Sequence, residues 1–134
     1  MKKKVLLIDD DEDLLRSFQV TLESKNYEVA TASDSQEGFI KLKEQKPDLV
    51  VLDVMMNTNL EGYNMLHAIK KNAAYKNMPI ILLTGMVDQM GVNLSSGVED
   101  EKLFPNVHFQ DKPIDPLLLA DLITALLADT DHGG

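Results

Sequence analysis

Three apolar runs in this chain are continuous rather than alternating: residues 5–8, 49–52 and 80–83. A strand covered on one face alternates apolar and polar positions, whereas an unbroken run marks a strand covered on both. Residues 27–32 and the run from Val107 to Phe109 read as two further strands. Between these runs the spacing becomes helical. Leu14, Leu15, Phe18 and Leu22 recur on one face after the first run. Asp34 is placed to cap a helix carrying Phe39, Ile40 and Leu42, and Pro47 follows its end. Gly62 precedes a third helix with Leu66 and Ile69 facing inward, which ends before Met78-Pro79. Asp115-Pro116 opens a last helix through Leu127, with proline in the first turn, where it is favoured.

Alternation of strand and helix predicts an α/β domain with a parallel sheet and right-handed crossovers. Ligands of such sheets bind outside the carboxyl ends of the strands. The polar residues at those ends are complementary. The first run meets Asp9-Asp10-Asp11 and the run 49–52 meets Asp53; Thr84 follows the run 80–83, and Lys112-Pro113 lies shortly beyond Phe109. Residues 86–104, with Gly91, Ser95, Ser96 and Gly97, carry no clean apolar stripe; Val87, Met90 and Leu94 come nearest. A short helix and a long loop are expected there. There is no internal repeat. The expectation is one domain over residues 1–128 and a disordered tail over 129–134.

Composition narrows the function more than the fold. A chain of 134 residues, 44% hydrophobic and 26% charged, suits one globular domain. No apolar run approaches the roughly 20 residues of a membrane span. Lys2-Lys3-Lys4 before the first run resembles the start of a signal peptide, but the run is too short and ends in aspartates. The absence of cysteine excludes disulfides and thiolate chemistry. A cytoplasmic location without membrane association is the expectation. The net charge of −9, from 22 acidic against 13 basic residues, repels nucleic-acid phosphates and argues against direct DNA or RNA binding.

Part of that acidity has a more specific reading. Adjacent carboxylates raise one another's pKa unless a cation relieves them, and Mg²⁺ takes one or two carboxylates along with waters and a phosphate. A solvated acidic turn, with Asp11 or Asp13 capping the next helix, is the plainer alternative. Asp53, Thr84 and Lys112 are each unremarkable alone. Together they supply a nucleophilic carboxylate, a hydroxyl and an ammonium, which are the groups that accept and hold a phosphoryl group. His67, His108 and His132 lack metal-ligand spacing and are assigned no chemistry.

These motifs resemble the receiver domain of bacterial two-component response regulators, over essentially the whole chain. Residues 5–11 match the family's first strand and acidic pair, and Val51-Leu52-Asp53-Val54-Met55-Met56 its phosphoacceptor strand. Leu83-Thr84-Gly85 matches its hydroxyl position and Asp111-Lys112-Pro113-Ile114 its Lys-Pro motif. The resemblance implies a flavodoxin-like, doubly wound five-stranded parallel sheet in the order 2-1-3-4-5. The fourth helix region would be atypical, since residues 85–111 make a longer stretch than the family usually has.

By the same resemblance, Asp53 is the phosphoacceptor and also a Mg²⁺ ligand. Asp10 binds Mg²⁺ directly, Asp9 mostly through water, and the backbone carbonyl of Met55 adds a ligand. Thr84 and Lys112 hold phosphoryl oxygens, Gly85 leaves the approach open, and a cis Lys112-Pro113 bond directs the loop. Phe109 occupies the place of an aromatic switch residue; a plain core aromatic is the alternative. The implied partners are a histidine kinase or histidine phosphotransfer protein and an unknown output protein. The chain would catalyse only its own phosphorylation and dephosphorylation. Met55 and Met86, two residues after Asp53 and Thr84, offer no group to orient water, so slow dephosphorylation is expected. Where the family has Met-Pro after the phosphoacceptor, Met56 is followed by Asn57. The alternatives are a pseudo-receiver that signals by contact alone, and a phosphohydrolase, for which the residues after Asp53 offer no second carboxylate.

Overall fold

A computed structural model describes residues 2–54, 61–84 and 106–133, with side chains as far as Ala128. Five strands form one parallel sheet: β1 (Lys4–Ile8), β2 (Glu28–Ala32), β3 (Leu49–Asp53), β4 (Ile80–Thr84) and β5 (Val107–Asp111). Their order is β2-β1-β3-β4-β5, as the resemblance implies. Four helices are described: α1 (Glu12–Ser24), α2 (Ser35–Gln45), α3 (Glu61–Lys71) and α4 (Pro116–Gly133). A 3₁₀ turn, Ala73–Tyr75, follows α3.

The unbroken apolar runs are explained by two layers of helix. Every residue of β3 and β4 is buried. Neighbouring residues of a strand point to opposite faces, and they divide accordingly. Leu6, Ile8, Val50, Leu52, Ile80 and Leu82 pack with Leu42 of α2 and Leu66 and Ile69 of α3. On the other face Val5, Leu7, Val51 and Leu83 pack with Phe18 and Leu22 of α1 and Ile123 of α4.

Local signals set the ends of the elements. Asp11 caps α1, its side chain accepting from the backbone N–H of Leu14 at 3.1 Å. Asp34 caps α2 by accepting from Glu37 N–H at 2.7 Å, while Glu37 Oε1 accepts from Ser33 N–H at 2.7 Å. Such reciprocal caps satisfy amides that the helix itself leaves open. Asp115 Oδ1 accepts from Leu117 N–H at 2.8 Å, and Pro116 occupies the first turn of α4.

Some boundaries differ from expectation. β5 runs two residues beyond Phe109, to Asp111, because its backbone remains in register with β4 as far as Thr84. Gly62 lies inside α3 rather than before it, for a reason given below. The last helix continues to Gly133 rather than stopping at Leu127 before a disordered tail. No proline or glycine interrupts the sequence between Leu127 and Gly133. Residues 86–104, Met55 and Gly85 lie outside the described residues.

Candidate functional site

β1, β3, β4 and β5 are consecutive in the sheet, so their carboxyl ends stand about 4.8 Å apart along one rim. Each contributes one of the groups singled out in the sequence. Asp9 follows the last residue of β1, and its N–H still pairs with Ala32 O at 3.0 Å. That bond keeps Asp9 in the sheet's geometry, and its residue is only 3% exposed. The next residue, Asp10, turns out to solvent. Asp11 leaves the cluster to cap α1, while its N–H donates to Asp9 Oδ1 at 3.0 Å. The three adjacent aspartates thus divide between a buried carboxylate, an exposed one and a helix cap.

Asp53 ends β3 and is likewise 3% exposed. Carboxylate oxygens of Asp9, Asp10 and Asp53 all lie within 4.8 Å of one another. Lys112 reaches in from beyond β5. Its Nζ stands 3.2 Å from Asp9 Oδ2 and 3.2 Å from Asp53 Oδ1. The Lys112 N–H donates to Thr84 O at 2.9 Å, which ties the start of the Lys-Pro segment to the end of β4. The Lys112-Pro113 peptide is cis, as expected. Thr84 is fully buried and faces Asp111 across the β4–β5 ladder.

The electrostatics follow from crowding. Burial, and next the charge of Asp9, push the Asp53 carboxyl up to about 7, against the opposing pull of Lys112. Desolvation first and Asp9 second also raise Asp10 above the usual carboxylate range. Burial alone would lower Lys112, but the charges of Asp53 and Asp9 outweigh it and hold the ammonium above its ordinary value. One lysine therefore offsets only part of the negative charge gathered here. A hard divalent cation that takes carboxylate oxygens fits this donor set, and Mg²⁺ is the ion of that kind expected beside a phosphate.

Phe109 is not part of this cluster. It is paired in register with Leu82 and packs, partly buried, against the core cluster under α2 and α3. His67 lies ring-to-edge against Tyr63, with centroids 4.8 Å apart, and His108 sits on β5.

Two residues at the site escaped the sequence reading. Gly62 donates its N–H to Val54 O at 2.9 Å, and a Cβ built on it would fall 1.7 Å from Asp53 O. The start of α3 therefore rests directly on the backbone of Asp53, and only glycine allows that approach. Glu61 Oε2 accepts from Ser35 N–H at 2.9 Å and joins α3 to the start of α2. A lone glycine near a helix start carries no signal of such a contact.

Comparison with known proteins agrees with this geometry. A family model described as "Response regulator receiver domain" matches residues 5–101. The chain is 32% identical over 129 residues to the alkaline phosphatase synthesis transcriptional regulatory protein PhoP of Bacillus subtilis (strain 168), covering 95% of this chain and 49% of that protein. It is 34% identical over 133 residues to a probable transcriptional regulator, ycf27, of Cyanophora paradoxa, covering 98% of this chain and 51% of that protein. The chain thus spans about half the length of these curated relatives. Among solved structures, a CheY-like response regulator receiver domain protein from Methanospirillum hungatei JF-1 superposes with a TM-score of 0.83 at 26% identity, each chain covered over 100% of its length. With the acidic cluster, the lysine and the strand order all in place, this chain belongs to the response regulator receiver domains.

Proposed function

We propose that Asp53 is the residue this receiver domain phosphorylates, with Asp9 and Asp10 holding Mg²⁺ and Lys112 and Thr84 holding the phosphoryl group. One observation carries the proposal: Lys112 Nζ stands 3.2 Å from both Asp9 and Asp53, two members of a three-carboxylate cluster completed by Asp10. An Asp53 oxygen attacks the phosphorus of a phosphohistidine. The new O–P bond forms as the N–P bond breaks, and the departing imidazole takes up a proton. Bound Mg²⁺ would neutralise phosphoryl charge that the aspartates alone would repel.

This chain's residues do the rest. Lys112 shares its charge between Asp53 and Asp9 before transfer and can follow the phosphoryl oxygens after it. Thr84, on the strand next to Asp53, supports the reading by supplying a hydroxyl at the same rim. Met55 and Gly85 keep the roles that the resemblance gives them, as carbonyl ligand and open approach. Phe109, packed inward, would act as a switch only by leaving that position.

The donor is a histidine kinase or histidine phosphotransfer protein, and the product state alters binding to an output protein through a shift between two conformations. The curated relatives are about twice as long as this chain, which fits an output module joined to a receiver. No helix among the described residues is long and apolar enough to cross a membrane, consistent with work in the cytoplasm. A contact-only pseudo-receiver would have no need of the buried Asp9–Lys112–Asp53 group. Incubation with acetyl phosphate tests the reading by intact mass. Wild type gains one phosphoryl group with Mg²⁺ and none with a chelator; gain without any divalent cation contradicts it.

A further inference from the structure

We propose that the outer face of α2, together with the groove at its carboxyl end, is a docking surface for an acidic, amphipathic segment of a partner protein. Phe39 and Ile40 are 36% and 52% exposed on α2. Exposed Lys43 follows at the three- and four-residue spacing that places all three on one side of the helix. Lys43 also lines a groove of about 550 Å³ whose walls include Lys46, Pro47, Tyr75, Met78 and Pro79. Stripe and groove therefore meet at Lys43. Together they form one apolar track edged by ammonium groups.

The groove is held in shape by bonds that do not involve the phosphoacceptor rim. Tyr75 and Met78 pack on the core cluster beneath α2 and α3. Lys70 Nζ donates to Met78 O at 2.6 Å and Lys76 O at 3.1 Å, which ties that wall to α3. Asn106 Nδ2 donates to Asn77 O at 3.0 Å from the far side. Two carboxylates stand near the track. Asp48, in the groove lining, accepts from Lys4 N–H at 2.8 Å, and Glu44 is exposed on α2 beside Lys43. Lys46 sits in the left-handed region, at φ 48° and ψ 62°, where a helix usually stops on glycine or asparagine. A lysine there bears backbone strain that glycine would avoid, and it keeps a cation at the groove.

Charge complementarity selects the partner. The molecule carries a net charge of −9, yet Lys25, Lys43, Lys46, Lys71 and Lys76 gather at the end where the strands begin. Asp9, Asp10, Asp34, Asp53 and Glu61 gather at the opposite end. An acidic segment is repelled by most of the surface and drawn to this end, which fixes how it approaches. Its apolar side chains fill the concavity and cover Phe39 and Ile40. An anionic bilayer fits less well, being flat against a concave groove and repelled by the net charge. Pro47 and Pro79 precede β3 and β4, whereas Asp53 and Thr84 end them, so the surface is remote from phosphorylation chemistry.

The test is a titration of the isotope-labelled chain with a synthetic amphipathic helix of leucine and glutamate, and with its lysine-for-glutamate counterpart. The glutamate peptide shifts the amides of Phe39, Ile40, Lys43, Lys46 and Tyr75. Its affinity falls roughly tenfold in Lys43→Glu/Lys46→Glu, whose amide spectrum away from the patch is the folding control. The lysine peptide leaves these amides unshifted. Equal affinity for both peptides, shifts confined to other surfaces, or unchanged affinity in the double variant would overturn the proposal. So would preferential binding of the patch to phosphatidylglycerol vesicles, which would assign it to a membrane. Phosphoryl uptake by Asp53 is a separate measurement, so failure of one reading leaves the other standing.

Discussion

Gly62 stands so close to Asp53 that a Cβ on it would lie 1.7 Å from the Asp53 carbonyl oxygen. The first turn of α3 therefore rests on the backbone of the proposed phosphoacceptor, with Gly62 N–H bonded to Val54 O at 2.9 Å. Gly62→Ala must push α3 away from the strand or move the end of β3. Overpacking of this kind costs about 1–3 kcal/mol. The urea midpoint should fall, and the surviving folded protein should take up phosphoryl groups more slowly. An alanine variant matching wild type in both would show that the helix start can retreat without moving Asp53.

Metal-free stability should respond to pH through Asp53. Its carboxyl rises from 3.8 to about 7 on folding, so the folded state binds this proton more tightly than the unfolded state. Its contribution is fully present below about pH 4, declines as pH rises through 7, and is then a constant penalty. Asp53→Asn removes the ionisation. With chelator present, the gain of the variant over wild type should be larger by at least about 1 kcal/mol at pH 8 than at pH 4. Chemical denaturation at the two pH values checks this; equal effects at both would contradict it. Protons and Mg²⁺ compete for the same oxygens, so Mg²⁺ affinity should rise between pH 6 and pH 8.

Lys112→Met leaves Asp9 and Asp53 buried without their shared ammonium. Removing one partner of a buried ion pair costs on the order of 3 kcal/mol, less here because Lys112 is partly exposed. A loss of about 2 kcal/mol is expected without metal. Saturating Mg²⁺ should narrow the gap, since it answers the same excess charge. Melting curves with and without Mg²⁺ measure this, and a gap that Mg²⁺ leaves unchanged would separate the lysine from the carboxylate cluster.

The acyl phosphate should be long-lived, because Met55 and Met86 carry no group able to orient water. Met55→Asn with Met86→Glu should shorten its half-life by about tenfold or more. Decay followed by mass in Mg²⁺ buffer decides; rapid loss that these changes leave unaltered would reassign control of the lifetime elsewhere.

How much of this was legible beforehand depended on the range of the interaction involved. Strand identity followed from unbroken apolar runs, since full burial of β3 and β4 leaves no polar position to hide the pattern. Asp53, Thr84 and Lys112 were legible because strand ends in a parallel sheet share one rim. Asp11 and Asp13 are both candidates in the sequence to cap the first helix, and the bond from Leu14 N–H falls on Asp11. Gly62 and the Glu61–Ser35 bond were not legible. They depend on how α3 lands on β3 and α2, a distance between elements that no local spacing encodes. The extension of α4 past Leu127 was missed because the polar residues there read as a tail, while nothing in them stops a helix.

The central claim is that one particular carboxylate carries the phosphoryl group. The most direct measurement is to phosphorylate the protein with acetyl phosphate and Mg²⁺, reduce the acyl phosphate with borohydride, and locate the altered residue by peptide sequencing in the mass spectrometer. The account predicts conversion at Asp53 alone, and none in Asp53→Ala. Label on another residue, or a wild-type protein left unmodified under these conditions, would contradict it.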